Sequence, residues 1–313
     1  MDKVIIVSRP TRLDALVAKF NTKQQAKFYI QHLNADFCDY EDEHDQYYRT
    51  LNELQEKVQG KTKCQTIEWK YLPNFMFGRD DLVITVGQDG LIANTLKYLD
   101  EQKVIGVNPD RKRWDGVLSQ FGIDDIESAI DNVVEKRAKV KRVTKAKVQL
   151  SDSQILYAVN DFFIGVKNHS SARYTIHVGK EIENQSSSGI IVSTPLGRSG
   201  WMKSVLAGAN GIINSLSEKK MVFKEQNMND WSQNRLTFAV REPFPSISTQ
   251  AKLIFGSIGE GLDFSVESKM GENGVIFSDG IQEDYLDFNY SILAKISIAE
   301  TKGNIVINSD NEK

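Results

Sequence analysis

The sequence predicts two domains of different class, an N-terminal parallel-sheet α/β domain followed by a mainly β domain. Three observations carry this. Leu82-Val83-Ile84-Thr85-Val86 has the length and composition of a parallel strand buried on both faces, and it runs through Gly87-Gln88-Asp89-Gly90 into Ile92, Ala93, Leu96 and Leu99 at helical spacing. Strand-like runs alternate with amphipathic helical patterns up to Val134, which implies parallel strands joined by right-handed crossovers. Beyond a basic stretch the periodicity changes to short strands, the mark of a β-rich domain. The expected division is 1–140 for the α/β domain, 141–300 for the β-rich domain and 301–313 for a polar tail.

In chain order, Val4 to Val7 reads as the first buried strand, and Ser8-Arg9-Pro10-Thr11-Arg12 leaves it with two arginines near a strand's carboxyl end, where ligands of open α/β sheets collect. Helical patterns follow at Thr22 to Leu33 and at Asp45 to Gln59; His32 and His44 fall there with no metal partner at ligand spacing. Cys64 to Trp69, Leu82 to Val86 and Val104 to Val107 are the next strands. The polar, basic turn from Asn108 to Gly116 is long for a strand-to-helix link, and such loops tend to carry function. Asp124-Asp125-Ile126-Glu127 resembles a capping box, opening a helix with Ile126, Ala129, Ile130, Val133 and Val134 on its core face.

The run from Glu135 to Gln149 alternates Lys and Arg with Val140, Val143, Ala146 and Val148, which predicts a strand with one wet face. Strands are then expected at Ile155 to Gly165, Arg173 to Val178, Gly189 to Ser193, Leu236 to Arg241, Ala251 to Phe255, Leu262 to Val266, Gly274 to Phe277 and Ile292 to Ile298. One helix, Trp201 to Leu216, interrupts them. The tail from Thr301 is read as frayed.

Composition narrows the function classes. Across 313 residues, Lys+Arg 39 against Asp+Glu 42 leaves a formal charge of −3, so no global field recruits nucleic acid or an anionic membrane, and small molecules are the expected partners. Cys38 and Cys64 lack metal-ligand spacing and suggest unbridged thiols in a reducing compartment. The first strand begins almost at Met1, which reads as leaving no room for a targeting peptide, and no apolar run reaches membrane-spanning length. A cytoplasmic protein is expected.

A strand, a glycine turn and a helix together make a place to hold phosphate, because backbone N–H groups at a helix start have no intrahelical partner and sit at the positive end of its dipole. Asp89 in that turn would repel phosphate, so its presence suggests a metal ligand or a base acting on a hydroxyl. Gly-x-Asp-Gly is also an ordinary turn sequence, and the residues alone leave both readings open.

Three further stretches occur in order after the glycine turn: Tyr157 to Gly165 with Asn160-Asp161, Ser187-Ser188-Gly189 through Ser193-Thr194-Pro195-Leu196-Gly197-Arg198-Ser199-Gly200-Trp201, and Ser278-Asp279-Gly280. With that turn they resemble the NAD kinase family, over nearly the whole chain. Pro10-Thr11-Arg12, Gly106-Val107-Asn108-Pro109-Asp110-Arg111, Ser187-Ser188-Gly189 and Arg241-Glu242-Pro243 look like its mitochondrial-type branch.

The resemblance implies an active site in the cleft between the two domains and transfer of a terminal phosphoryl group from a nucleoside triphosphate to the 2′-hydroxyl of the adenosine ribose of NAD, giving NADP. It places the catalytic base on Asp89 and nucleotide or phosphate contacts on Gly87, Gly90, Asn108, Arg12 and Arg198. NAD contacts fall on Asn160, Asp161, Ser188, Ser193, Thr194, Ser199, Gly200, Trp201 and Ser204, with Trp201 where the family usually has Tyr. ATP or polyphosphate would be the donor, with Mg²⁺ carried by the triphosphate and no protein metal ligand. A homo-oligomer, a dimer by preference, would bind NAD and ATP. A related kinase acting on a lipid or sugar, or a non-catalytic nucleotide-binding scaffold, is the alternative.

Four departures stand out. Gln88 replaces a family glycine, and at positive φ it would cost about 1 kcal/mol or more. Leu91 replaces a threonine hydroxyl, Ser188 an aspartate of many bacterial members, and Arg198 has no counterpart. Asp279-Gly280 reads equally as a hairpin turn.

Overall fold

In the computed structural model, which describes residues 1–217 and 230–308, the chain divides into a first unit of Met1–Lys141 with the C-terminal residues from Asn304, and a second unit, Arg142–Gly303. The first unit contains strands β1 (Val4–Ser8), β2 (Cys64–Glu68), β3 (Leu82–Val86) and β4 (Lys103–Val107) and helices α1 (Arg12–Phe20), α2 (Lys23–His32), α3 (Cys38–Gln59), α4 (Asp89–Leu96) and α5 (Ile126–Val134). The order β2-β1-β3-β4 is parallel throughout. Every residue of β3 is buried, as a strand covered on both faces must be. On one face Val4, Ile6, Ile84 and Ile105 pack against Leu54 and Val58 of α3 and Ile126 and Ile130 of α5; α4 packs on β3 and β4.

The second unit holds β5 (Val140–Leu150), β6 (Ile155–Ala158), β7 (Asp161–Val166), β8 (Ala172–Val178), β9 (Glu181–Ser187), β10 (Ile190–Ser193), α6 (Trp201–Leu216), β11 (Arg235–Val240), β12 (Phe255–Gly259), β13 (Phe264–Ser268), β14 (Gly274–Ser278), β15 (Ile281–Asp287) and β16 (Leu293–Val306). One antiparallel layer runs β12-β11-β10-β7-β14-β15; another runs β16-β13-β8-β9, with β5 joined to β16 and β6. A single apolar cluster draws on both layers, with Phe162, Ile164 and Phe238 from the first and Tyr174, Phe264 and Ile296 from the second. The opposite face of the first layer is covered by α6, whose Met202 packs against Ile191 and Ala239.

The structure moves several boundaries. Helix α1 was not foreseen: Thr11 caps it and shares a capping box with Asp14, so the chain turns into a helix where an exit loop was read. Helix α3 starts at Cys38, seven residues before the expected Asp45, because its acidic opening hides the periodicity that Tyr47, Leu51 and Leu54 then display. Asp125, and not Asp124, closes the cap before α5 by accepting the Gly122 N–H at 3.0 Å. The expected strand Ile155 to Gly165 is two strands broken at Val159-Asn160.

The strand expected at Ala251 to Phe255 lies instead at Phe255–Gly259, where it pairs with β11. Strands β9 and β15 were missed, since their largely polar sequences depend on pairing with β8 and β14. The polar tail is corrected at its start: 301–306 is strand, with Ile305 and Val306 buried and Asn304 and Ile305 paired to Lys103 and Val104. Positions 309–313 of that tail lie outside the described residues. No helix among the described residues is long and apolar enough to cross a membrane, and Cys38 and Cys64 are not joined.

Candidate functional site

In the first unit the backbone climbs out of β3 at Gly87, whose φ of +149° is open to glycine and strained for side chains. Gly87 N–H donates to Val107 O at 3.0 Å, tying the turn to β4. Gln88 caps α4 at φ −76°, so the penalty expected for a glutamine at positive φ is absent. Leu91, in place of a hydroxyl, is buried against the turn. A Cβ on Gly90 would meet nothing within 4 Å, so packing does not require that glycine.

Asp89, the first residue of α4, is held by the segment Val117–Ser119. Its Oδ2 accepts Val117 N–H at 2.9 Å, and its Oδ1 accepts Leu118 N–H at 3.0 Å, Ser119 N–H at 2.9 Å and Ser119 Oγ at 2.7 Å. Three of the four donors crowd Oδ1 and one meets Oδ2, which keeps a second lone pair. One donor is an alcohol. Asn108, expected near phosphate, instead builds this loop: its Nδ2 donates to Trp114 O at 2.9 Å and its Oδ1 accepts Asp110 N–H at 3.0 Å. Arg12, also expected at phosphate, pairs with Glu43 and with Asp39 at 2.7 Å, and Asp39 in turn binds Arg113 at 2.6 Å. An arginine already bonded to two carboxylates is committed to the junction of α1 and α3.

In the second unit the break between β6 and β7 presents Asn160 and Asp161. The Asp279 carboxylate accepts the N–H groups of Val159, Asn160 and Asp161, the shortest at 2.6 Å from Asn160. Thr194 N–H donates to Asn160 O at 2.9 Å and its Oγ1 to Val159 O at 2.5 Å. Gly197 crosses so close that a Cβ there would lie 2.0 Å from Asn160 O. With the backbone so fixed, the Asn160 amide and the Asp161 carboxylate have no hydrogen-bond partner of their own among the described residues. Burial, with Asp279 beside it, pushes the Asp161 carboxyl up to about 7.

Asp279-Gly280 is both of the things its sequence suggested. Its φ values of 55° and 75° make the type I′ hairpin between β14 and β15, and its carboxylate clamps the Asn160-Asp161 backbone. Ser193 and Thr194, expected to line a dinucleotide pocket, are instead fully buried and bonded to backbone carbonyls. Ser199, Gly200 and Ser204 are exposed around the start of α6, with Ser199 Oγ donating to Leu196 O at 3.0 Å. Arg198 is half-buried; burial and the neighbouring Arg235 lower its pKa.

Ser188 and Trp201 line a groove of about 680 Å³ in this unit. Trp201 stacks on Phe163 at 5.8 Å and 11°, and Phe163 on Phe277 at 4.9 Å and 28°. The Arg241 guanidinium lies 5.4 Å from the Trp201 ring centre and Lys167 Nζ 3.5 Å from that of Tyr285. Phe163, Phe277 and Lys167 were not among the expected site residues. The available signal was alternation along β7, which puts Phe163 on the face of Asp161.

No family model matches the chain. It is 26% identical over 133 residues to an NAD kinase of Cytophaga hutchinsonii, covering 40% of this chain and 44% of that protein. It is 27% identical over 126 residues to one of Thermoplasma acidophilum, covering 40% and 45%, and 26% identical over 164 residues to NAD kinase 2 of Oceanobacillus iheyensis, covering 50% and 60%. The chain thus spans about half the length of the curated relatives it matches. Among solved structures, an NAD kinase from Archaeoglobus fulgidus in complex with ATP aligns with TM-score 0.57 at 16% identity over 98% of this chain and 94% of that one. Yeast NADH kinase complexed with NADH aligns with TM-score 0.59 at 15% identity over 99% and 84%. The resemblance to the NAD kinase family holds, in sequence over 40% to 50% of the chain and in fold over nearly all of it.

Proposed function

We propose that this chain, similar in sequence and fold to NAD kinases, transfers the terminal phosphoryl group of ATP to the 2′-hydroxyl of the adenosine ribose of an NAD-type dinucleotide. The observation that carries the reading is the Asn160-Asp161 pair: an amide and a carboxylate with fixed backbones and uncommitted side chains, suited to a ribose that offers paired hydroxyls. The names of the related kinases support the reaction class and the donor. Pro10-Thr11-Arg12, Gly106 to Arg111, Ser187-Ser188-Gly189 and Arg241-Glu242-Pro243 support the mitochondrial-type branch.

Asp89 is the base. Ser119 Oγ on its carboxylate, at 2.7 Å, stands where an acceptor alcohol would donate, so the substrate hydroxyl replaces that serine. The hydroxyl oxygen attacks the terminal phosphorus as its proton passes to Asp89, and the bond to the leaving diphosphate oxygen breaks. The N-terminal turn of α4, with Gly90, offers backbone N–H groups to phosphate, and Gly87, whose own N–H is bonded to Val107 O, shapes the approach to that turn.

Mg²⁺ carried by the triphosphate would supply neutralisation of the charge developing on the transferred group. The same reading takes the protein as a cytoplasmic homo-oligomer, a dimer by preference, and the net charge of −3 supports small-molecule partners.

The test is mass spectrometry of NAD or NADH incubated with ATP, Mg²⁺ and the protein. The dinucleotide should gain one phosphate, and Asp89→Asn should lower turnover about 10² to 10⁴-fold. No gain on either dinucleotide overturns the reading in favour of another acceptor or a scaffold; a fully active Asp89→Asn removes the base.

A further inference from the structure

The groove of the second unit carries a charge pattern that, for a chain that binds a dinucleotide as proposed, distinguishes the two redox states of a nicotinamide ring. Along β7, Asp161, Phe163 and Gly165 share one face, and at about 3.3 Å per residue the groove-lining stretch from Phe163 to Val166 lies about 7 to 16 Å from Asp161. A dinucleotide whose adenosine ribose meets Asn160 and Asp161 therefore extends along the strand with its far ring at the groove.

The floor there is aromatic. Trp201, Phe163 and Phe277 lie nearly parallel, at 11° and 28°, and make an apolar aromatic wall against which a flat ring packs. The charged side chains that line it are Lys167 and Arg241, and no Asp or Glu is among the described lining residues. Glu242 does reach Arg241, at 3.6 Å, but its side chain is 65% exposed and its charge is met mainly by water. Ser188, at the position where many bacterial NAD kinases resemble one another in carrying Asp, is a neutral rim residue here. The faces of Trp201 and Tyr285 are already covered by Arg241 and Lys167, so the attraction of those rings for a further cation is spent.

We propose that this groove selects the reduced, uncharged nicotinamide ring, making NADH the preferred acceptor over NAD⁺. The oxidised ring carries a fixed positive charge that Arg241 and Lys167 oppose, whereas the dihydronicotinamide packs against the same aromatic wall without that repulsion. Discrimination thus arises from a repulsive element and not from a new contact.

Equilibrium binding of three probes to the full chain tests this: NADH, NAD⁺, and ADP-ribose, which lacks the nicotinamide. At low salt NADH should bind about tenfold more tightly than NAD⁺, the effect of one or two partly screened like charges. Arg241→Gln combined with Lys167→Gln should bring the ratio close to one, chiefly by tightening NAD⁺, with ADP-ribose unchanged. Equal or tighter binding of NAD⁺ by the parent, while ADP-ribose binds, overturns the selectivity and leaves the dinucleotide reading intact. A preference for NADH that the double substitution does not alter overturns its assignment to this groove. Failure of all three probes to bind overturns both.

Discussion

Asp161 shows how one buried carboxyl couples pH to stability and, in the ribose contact proposed for it, would couple pH to binding. Its carboxyl titrates at about 7 in the folded chain, against roughly 3.9 when unfolded, because burial and Asp279 disfavour the charged form. Between those values the folded state holds a proton that the unfolded state has lost, so this group's contribution to stability falls as pH rises from about 4 to about 7 and is flat above. Accepting hydrogen bonds from two ribose hydroxyls has the opposite requirement, since the ionised form is the better acceptor. Dinucleotide affinity should therefore rise with pH through about 7 while the melting temperature falls. Calorimetric titrations and thermal melts from pH 5.5 to 8.5 check both, and Asp161→Asn should flatten the two curves together. Affinity that is level with pH in the parent would remove Asp161 from the ribose contact. Asp89 is a contrasting carboxylate, held by four donors from Val117–Ser119.

At the scale of the element, the turn between β10 and α6 is held against β7 by close backbone contact. Gly197 sits where a side chain would collide with Asn160, at 2.0 Å from its carbonyl oxygen. Gly197→Ala must push the turn off β7, and it should cost roughly 1 to 3 kcal/mol of stability, the range for overpacking, and weaken dinucleotide binding as Asn160 is displaced. Gly90→Ala is the internal contrast, because open space surrounds that position. Its stability should stay within about 0.5 kcal/mol of the parent, so any loss of ATP affinity reports backbone approach to phosphate directly. Denaturant unfolding and ATP titration of the two variants separate these outcomes. Equal stability of Gly197→Ala and the parent would mean that the turn moves freely.

For the molecule as a whole, the last described strand returns the chain to its first unit. Asn304 and Ile305 pair in parallel with Lys103 and Val104, and Ile305 and Val306 are 1% and 2% exposed. Ending the chain at Gly303 removes those two buried side chains from the edge of β4, an expected loss of roughly 3 to 6 kcal/mol at about 1.5 to 3 kcal/mol each. Thermal unfolding followed by hydrogen exchange should show the loss concentrated in β1, β3 and β4. Unaltered protection of those strands would show that the last strand is dispensable.

The amino-acid sequence by itself determined the class and order of the two units, because buried parallel strands and amphipathic helices announce themselves through composition and period. Val4 to Val7, Leu82 to Val86, Val104 to Val107 and the helix Trp201 to Leu216 could all be read that way. The Gly-x-Asp-Gly turn was legible as a break between strand and helix, and the Asn160-Asp161 pair was singled out only through the family resemblance. Strands β9 and β15 were not legible, since a polar strand is stabilised by the partner it pairs with and not by its own pattern. The partners of Asp89, Arg12 and Asp279 were also decided only by the tertiary structure. Whether a carboxylate or a guanidinium is free for a ligand depends on donors and acceptors brought from 27 to 120 residues away, and spacing along the chain says nothing about them.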